Sequence, residues 1–117
     1  MNEHDPAYLH HILDSIDRIH RYTRDVDEDR FVRDEMRQDA VIRQISIIGA
    51  AVTKLSPEVK QRRPAVPWRD IAGMRHKLVH DYFGVDLEAV WDTVQDDLDP
   101  LRRTVEGLLE GMSNENG

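Results

Sequence analysis

The chain has 117 residues, a net charge of −7, 39% apolar and 33% charged side chains, and no cysteine. That length suits one domain with one core, and the composition is that of an ordinary globular protein. Disulfides and thiolate metal sites are excluded.

No stretch approaches the roughly 20 apolar residues that cross a bilayer, so no membrane association is expected. The N-terminus, MNEHDPAYLH, lacks the basic start and apolar run of a secretory signal, which points to a cytoplasmic protein. Charge is unevenly spread. Between Glu58 and His80, the cations Lys60, Arg62, Arg63, Arg69, Arg75 and Lys77 meet only two acids, Glu58 and Asp70. A basic segment on an acidic body suits a focused phosphate site better than a surface that coats nucleic acid indiscriminately.

In chain order, Asp5-Pro6 reads as an N-cap and first helical residue. Leu9, Ile12, Leu13, Ile16 and Ile19 then give the first helix one apolar face. A second helix, starting between Asp29 and Asp34, carries Val41, Ile45, Ile48, Val52 and Leu55 in 4-3 steps and is expected to be the most buried. Ser56-Pro57 opens a short helical turn. Pro67 starts a third helix through Trp68, Ile71, Met74 and Leu78, with Gly84 as its C-terminal stop. Asp86 caps the last, whose series Leu87, Trp91, Val94, Leu98, Leu101, Val105, Leu108 keeps phase across Pro100, so one kinked helix is expected rather than two. No segment alternates with period two. The expectation is an all-α fold, a four-helix up-and-down-like bundle with a kinked C-terminal helix, over residues 1–110. Residues 111–117 are expected as a disordered tail.

The stretch from Trp68 to Asp86 carries the chemistry. If helical throughout, it turns Arg75 and His80 about 140° apart and brings Arg75 and Tyr82 nearly onto one face. A joint site then needs the reach of Arg75, a loosened last turn, or a second chain related by a two-fold axis. The pair suits metal-free RNA cleavage. An imidazole titrates near cellular pH and moves protons, while a guanidinium grips phosphate in a fork and offsets charge developing on its oxygens. From residue chemistry alone, a structural reading stands beside this one. His80 could serve as a cation at a helix C-terminus, Arg75 as one half of a surface ion pair, and Tyr82 as a core aromatic. Trp68 and Trp91 fall on apolar stripes and read as core.

Metal sites are less well supported. His76 and His80 stand at i, i+4, but HKLVH lacks the glutamate of a zincin and no third ligand is evident. His10, His11, Asp14, Asp17 and His20 supply one Asp-x-x-His step where a di-metal bundle needs two, so a solvated helix face is expected. Neither metal nor cofactor is expected.

Arg75-x4-His80-x-Tyr82 resembles the Arg-x4-His-x-Tyr signature of HepT-like toxins of the HEPN superfamily. The similarity extends through Ala40-Val-Ile-Arg43, Ile47-Ile-Gly49-x-Ala51-Val52, Pro67-Trp-Arg-Asp-Ile-Ala-Gly-Met74 and Tyr82-Phe-Gly-Val-Asp86 to Trp91. It covers roughly Tyr8 to Leu109. The resemblance implies a HEPN-type helical bundle, a homodimer, and RNA cleavage at a site built by both chains. Arg75 and His80 would be catalytic, and Arg69, His76 and Lys77 auxiliary RNA contacts. It also implies a partner, a minimal nucleotidyltransferase (MNT) antitoxin that AMPylates Tyr82. An added nucleotide would block the cleft and set negative phosphate beside Arg75. Two positions depart from the family pattern. His76 stands where Asn or Asp often follows the arginine, and Ala50 stands where Glu follows Ile-Ile-Gly. Ala50 favours the alternative, a non-catalytic HEPN module that binds nucleotide, RNA or protein.

Overall fold

The computed structural model describes residues 3–80 and 84–116. Its elements are α1 (Asp5–Thr23), α2 (Glu28–Phe31), α3 (Glu35–Lys54), α4 (Pro57–Gln61), α5 (Trp68–Ala72), α6 (Met74–Leu78), β1 (Val79–His80), β2 (Gly84–Val85), α7 (Leu87–Asp96) and α8 (Leu98–Asn116). The all-α class holds, with one two-residue antiparallel pairing inserted. Among the described residues no helix is long and apolar enough to cross a membrane.

The apolar stripes meet as their spacing requires. Leu9, Ile12, Ile16 and Ile19 of α1 and Val41, Ile45, Ile48 and Val52 of α3 are fully buried, and both helices exceed four turns, enough to span a small domain. Polar clasps set their direction. The Arg37 guanidinium, at the start of α3, donates to the Tyr22 carbonyl at the end of α1. At the other end, Asp5 accepts from the Ser56 backbone N–H at 2.9 Å and from its hydroxyl at 2.7 Å. The two helices are therefore antiparallel. Arg102 pairs with Asp17, and His20 lies 3.6 Å from Asp99, so α8 runs antiparallel along α1 on another side.

Asp5 corrects a sequence expectation. It does not cap its own helix, whose N-cap is His4 with no side-chain cap bond. Its carboxylate is fully buried and spent on Ser56, whose hydroxyl in turn accepts from the Val59 N–H and caps α4. The caps at Ser56 and Asp86 fall where the sequence puts them, and the helix start left between Asp29 and Asp34 lies at Asp34. Asp34 accepts from the Arg37 N–H and Asp86 from the Ala89 N–H. The hydrogen bond from the Arg37 backbone, reinforced by the Arg37 side chain, holds the Asp34 carboxyl below the ordinary carboxylate range.

The course of the third helix is also corrected. The third helix is two short ones, α5 and α6, interrupted at Gly73. It does not reach Gly84. Val79 leaves the helix at φ −117°, ψ 116°, and Gly84, at φ +83°, pairs with His80 instead of terminating a helix. The C-terminal series is interrupted at Asp97, yet N–H bonds from Asp97 to Thr93 O (3.0 Å) and from Leu101 to Asp97 O (3.3 Å) carry the helical phase across. Pro100 lacks the N–H that would bond the Asp96 carbonyl, next to the interruption, and Val94, Leu98 and Leu101 stay buried across it. Finally, α8 continues past Gly111 to Asn116, and Met112 packs into the core at 4% exposure.

Candidate functional site

The basic segment forms a distinct corner of the molecule, and a close backbone approach sets its position. A Cβ built on Gly49 would lie 2.8 Å from the carbonyl oxygen of Ala72. Only a glycine in α3 lets the α5 backbone settle this closely. The connector before α5 is fastened by Trp68, 8% exposed, whose indole N–H is shared between the Lys60 and Arg63 carbonyls, each at 3.1 Å. Trp68 is a core residue with its polar edge satisfied, as its stripe position implies.

On this platform, α6 presents Arg75, His76 and Lys77 to solvent, and Arg69 is exposed on α5. Lys77 lies 3.5 Å from Asp70. Arg75 makes no ion pair or side-chain hydrogen bond among the described residues. The side chain of His80 and all of Asp81, Tyr82 and Phe83 lie outside the described residues, and so does the expectation for the motif tyrosine. What is described is the backbone that carries His80. It departs from helical geometry at Val79, so the 140° separation of an ideal helix does not govern Arg75 and His80.

The end of α6 is secured from the far side. The Leu78 carbonyl accepts the Asp86 N–H at 2.8 Å, and Val79 pairs with Val85. Beside α6 runs a groove of about 560 Å³ between α5–α6 and α7–α8. Val66, Ile71, Met74, Leu98 and Leu101 give it apolar walls, and Asp70, Lys77 and Asp97 add charge. Burial, and then the neighbouring Asp96, push the Asp97 carboxyl up from its ordinary range. Arg69, Arg75 and His76 do not line this groove.

Among the described residues no group of three or more His, Cys, Asp or Glu is arranged to hold a metal ion. Four of the acidic and histidine residues of α1 divide between two seams. Asp17 and His20 engage Arg102 of α8, while His11 and Asp14 open onto a second cleft with Arg43 and Gln44 of α3. Sequence reasoning read all of them as a solvated helix face and missed that second cleft. Arg18, Arg43 and Gln44 share no motif, and only the antiparallel pairing of α1 with α3 brings them together.

Comparison with known proteins agrees with this architecture. Residues 12–108 match the family model described as ribonuclease HepT-like. A protein of Methanocaldococcus jannaschii, named as a gamma-glutamylcyclotransferase and candidate RNase, is 42% identical over 90% of this chain, which spans only 47% of that longer protein. A probable ribonuclease HepT of Thermococcus cleftensis is 41% identical, over 86% of this chain and 92% of its own length. A second M. jannaschii protein, named as a candidate RNase, is 35% identical, covering 91% of each. No solved structure matches the chain. With the family model spanning most of the sequence, and relatives above 30% identity matched nearly end to end, the chain belongs to the ribonuclease HepT-like family.

Proposed function

We propose that this protein is a metal-independent endoribonuclease toxin that cleaves RNA with Arg75 and His80. One observation carries the reading: in a HepT-like chain, Arg75 stands exposed and, among the described residues, unpaired at the start of a short helix, and the backbone turns extended before His80. A ribose 2′-hydroxyl attacks the adjacent phosphorus, and the 5′-oxygen of the next nucleotide leaves with a proton. His80 takes or gives that proton, a role worth about 10²–10⁴-fold. Arg75 holds the non-bridging oxygens as their charge grows. Arg69, His76 and Lys77 supply further cations for the flanking phosphates. In a two-fold homodimer, two copies of His80 divide the acid and base duties.

The regulatory half of the proposal is an MNT-type nucleotidyltransferase antitoxin that moves AMP from ATP onto the phenolic oxygen of Tyr82 and releases pyrophosphate. The added phosphodiester would occupy Arg75 and neutralise the toxin. The decisive measurement is RNA cleavage with chelator present, comparing wild type with His80→Ala and Arg75→Ala. Cleavage by wild type and its loss in both variants, with unchanged melting curves, is expected. Full cleavage by His80→Ala would end the assignment. Incubation with the antitoxin and ATP should add AMP at Tyr82 by mass spectrometry, and an unmodified Tyr82 would remove that half.

Ala50 supports a second reading. It lies exposed on α3, one residue after the Gly49 contact, and puts a methyl where the family pattern has a carboxylate. A HepT-like module that binds RNA without cutting it would show binding and no products in the same assay.

A further inference from the structure

Two glycines near the reactive corner resist a side chain for opposite reasons. Gly49 lacks room for one, because a Cβ would press on the Ala72 carbonyl. Gly84 has room: among the described residues, a Cβ there would meet nothing within 4 Å. What opposes a side chain at 84 is the backbone itself. Its φ of +83° lies in the left-handed region, which glycine enters freely and L-residues resist. Among the described residues no other position has a positive φ. Gly84 also holds a particular place. It is the antiparallel partner of His80, as Val85 is of Val79. With the Asp86 N–H on the Leu78 carbonyl at 2.8 Å, the returning chain accompanies the outgoing one from Leu78 to His80.

Little else holds this pairing. Two-stranded ribbons are marginal in water by themselves, and this one is two residues long on each side. Val79 packs against the core, but Gly84 and Val85 are exposed, so the return strand adds almost no burial. Its course depends on backbone conformation instead. We propose that Gly84 is a positioning residue for RNA cleavage: its left-handed backbone lays the returning strand against His80 and keeps the His80 backbone paired and extended, the state from which the imidazole acts. The role rests on His80 moving a proton in RNA cleavage, as the proposed function has it. It adds to that reaction a residue with no side chain to offer the RNA. An L-residue at 84 loses about 5–30-fold in the population of the left-handed conformer. The helical core buries other residues, so that loss falls on the ribbon and opens it locally, without unfolding the bundle.

The test measures kcat and KM for RNA cleavage in wild type, Gly84→Ala, Gly84→Val and Gly84→Asn, with melting curves for each. Asparagine is the conservative variant, since it tolerates left-handed backbone better than other L-residues. Gly84→Ala should lower kcat by about 5–30-fold. Gly84→Val should lower it further, because a β-branched residue at positive φ is a genuine outlier, and Gly84→Asn should recover most of the loss. KM should stay unchanged, because Arg75 and its neighbouring cations remain on α6. A second readout follows the ribbon without RNA. The bond from Asp86 to Leu78 makes these two a hydrogen-bonded pair, so Val79 and Val85 form the closer, non-hydrogen-bonded pair. The NOE between their α-protons should weaken in Gly84→Ala and Gly84→Val and persist in Gly84→Asn. Equal losses of kcat in the Ala and Asn variants, a loss confined to KM, or an NOE that survives Gly84→Ala would overturn the positioning role. Full kcat in Gly84→Ala, with cleavage lost in His80→Ala, removes that role and leaves the nuclease. Full cleavage by His80→Ala, or none by wild type, removes the nuclease assignment and the role with it.

Discussion

Replacing Gly49 with alanine tests how the reactive corner is positioned. At a mid-helix position the substitution is ordinarily stabilising, by about 0.5–1 kcal/mol. Here the new methyl would lie 2.8 Å from the Ala72 carbonyl oxygen and 3.5 Å from its carbon. The obstacle is backbone, which cannot rotate away as a side chain would. Overpacking of this kind costs about 1–3 kcal/mol, so a net loss of about 1–2 kcal/mol is expected once the helix gain is subtracted. For a domain of this size that lowers Tm by about 3–8 °C. Gly73 provides the control. A methyl there meets only the Arg69 carbonyl at 3.6 Å, an ordinary contact, and the backbone at φ −97° tolerates a side chain. Gly73→Ala is therefore neutral or stabilising by up to about 1 kcal/mol. Both variants are read by thermal circular dichroism and by RNA cleavage. Gly49→Ala should reduce cleavage beyond its effect on folding, because displacing α5 carries α6 and Arg75 with it. A Tm at or above wild type for Gly49→Ala would refute the close-approach argument.

Other outcomes follow from contacts already described. Asp5→Ala leaves the Ser56 N–H without its carboxylate partner and should cost about 1.5–3 kcal/mol in denaturant unfolding; no change would mean that solvent replaces the clasp. Trp68→Phe removes one indole N–H shared by two carbonyls, for a loss of about 1 kcal/mol, since each carbonyl keeps a backbone donor. For Asp97, burial raises the carboxyl in the folded state, so its charged form opposes folding above that raised value and ceases to as acid protonates it. Asp97→Asn should accordingly raise Tm near neutral pH and lose that advantage toward pH 3; a gain independent of pH would point to another cause.

Much of the architecture was legible because it rests on local chemistry. The 4-3 spacings of α1 and α3 and the caps at Ser56 and Asp86 are written in side chains that lie adjacent in sequence. The exceptions share one property, which is that the partner is distant. Asp5 has the look of an N-cap, but its carboxylate meets Ser56, 51 residues away. Gly84 has the look of a helix stop because nothing local announces that Val79 turns extended. Gly49 belongs to a recognisable motif, yet its purpose emerges only with the Ala72 carbonyl against it. In the same way the sequence singled out Arg75 and His80 by type and spacing, whereas the cleft of Arg18, Arg43 and Gln44 exists only once two helices are laid side by side.

The Asp86 residue joins two helices with different parts of itself. Its backbone N–H closes α6 through the Leu78 carbonyl, and its carboxylate opens α7 through the Ala89 N–H. The two duties are chemically separable. An alanine at 86 would unfasten the start of α7 and spare the seal on α6, whereas a proline would break that seal and leave the cap without a carboxylate as well. The four-residue gap between Arg75 and His80 is thus punctuated from outside: where α6 stops, and hence which way His80 departs, is fixed by a donor that the chain supplies only after it has come back.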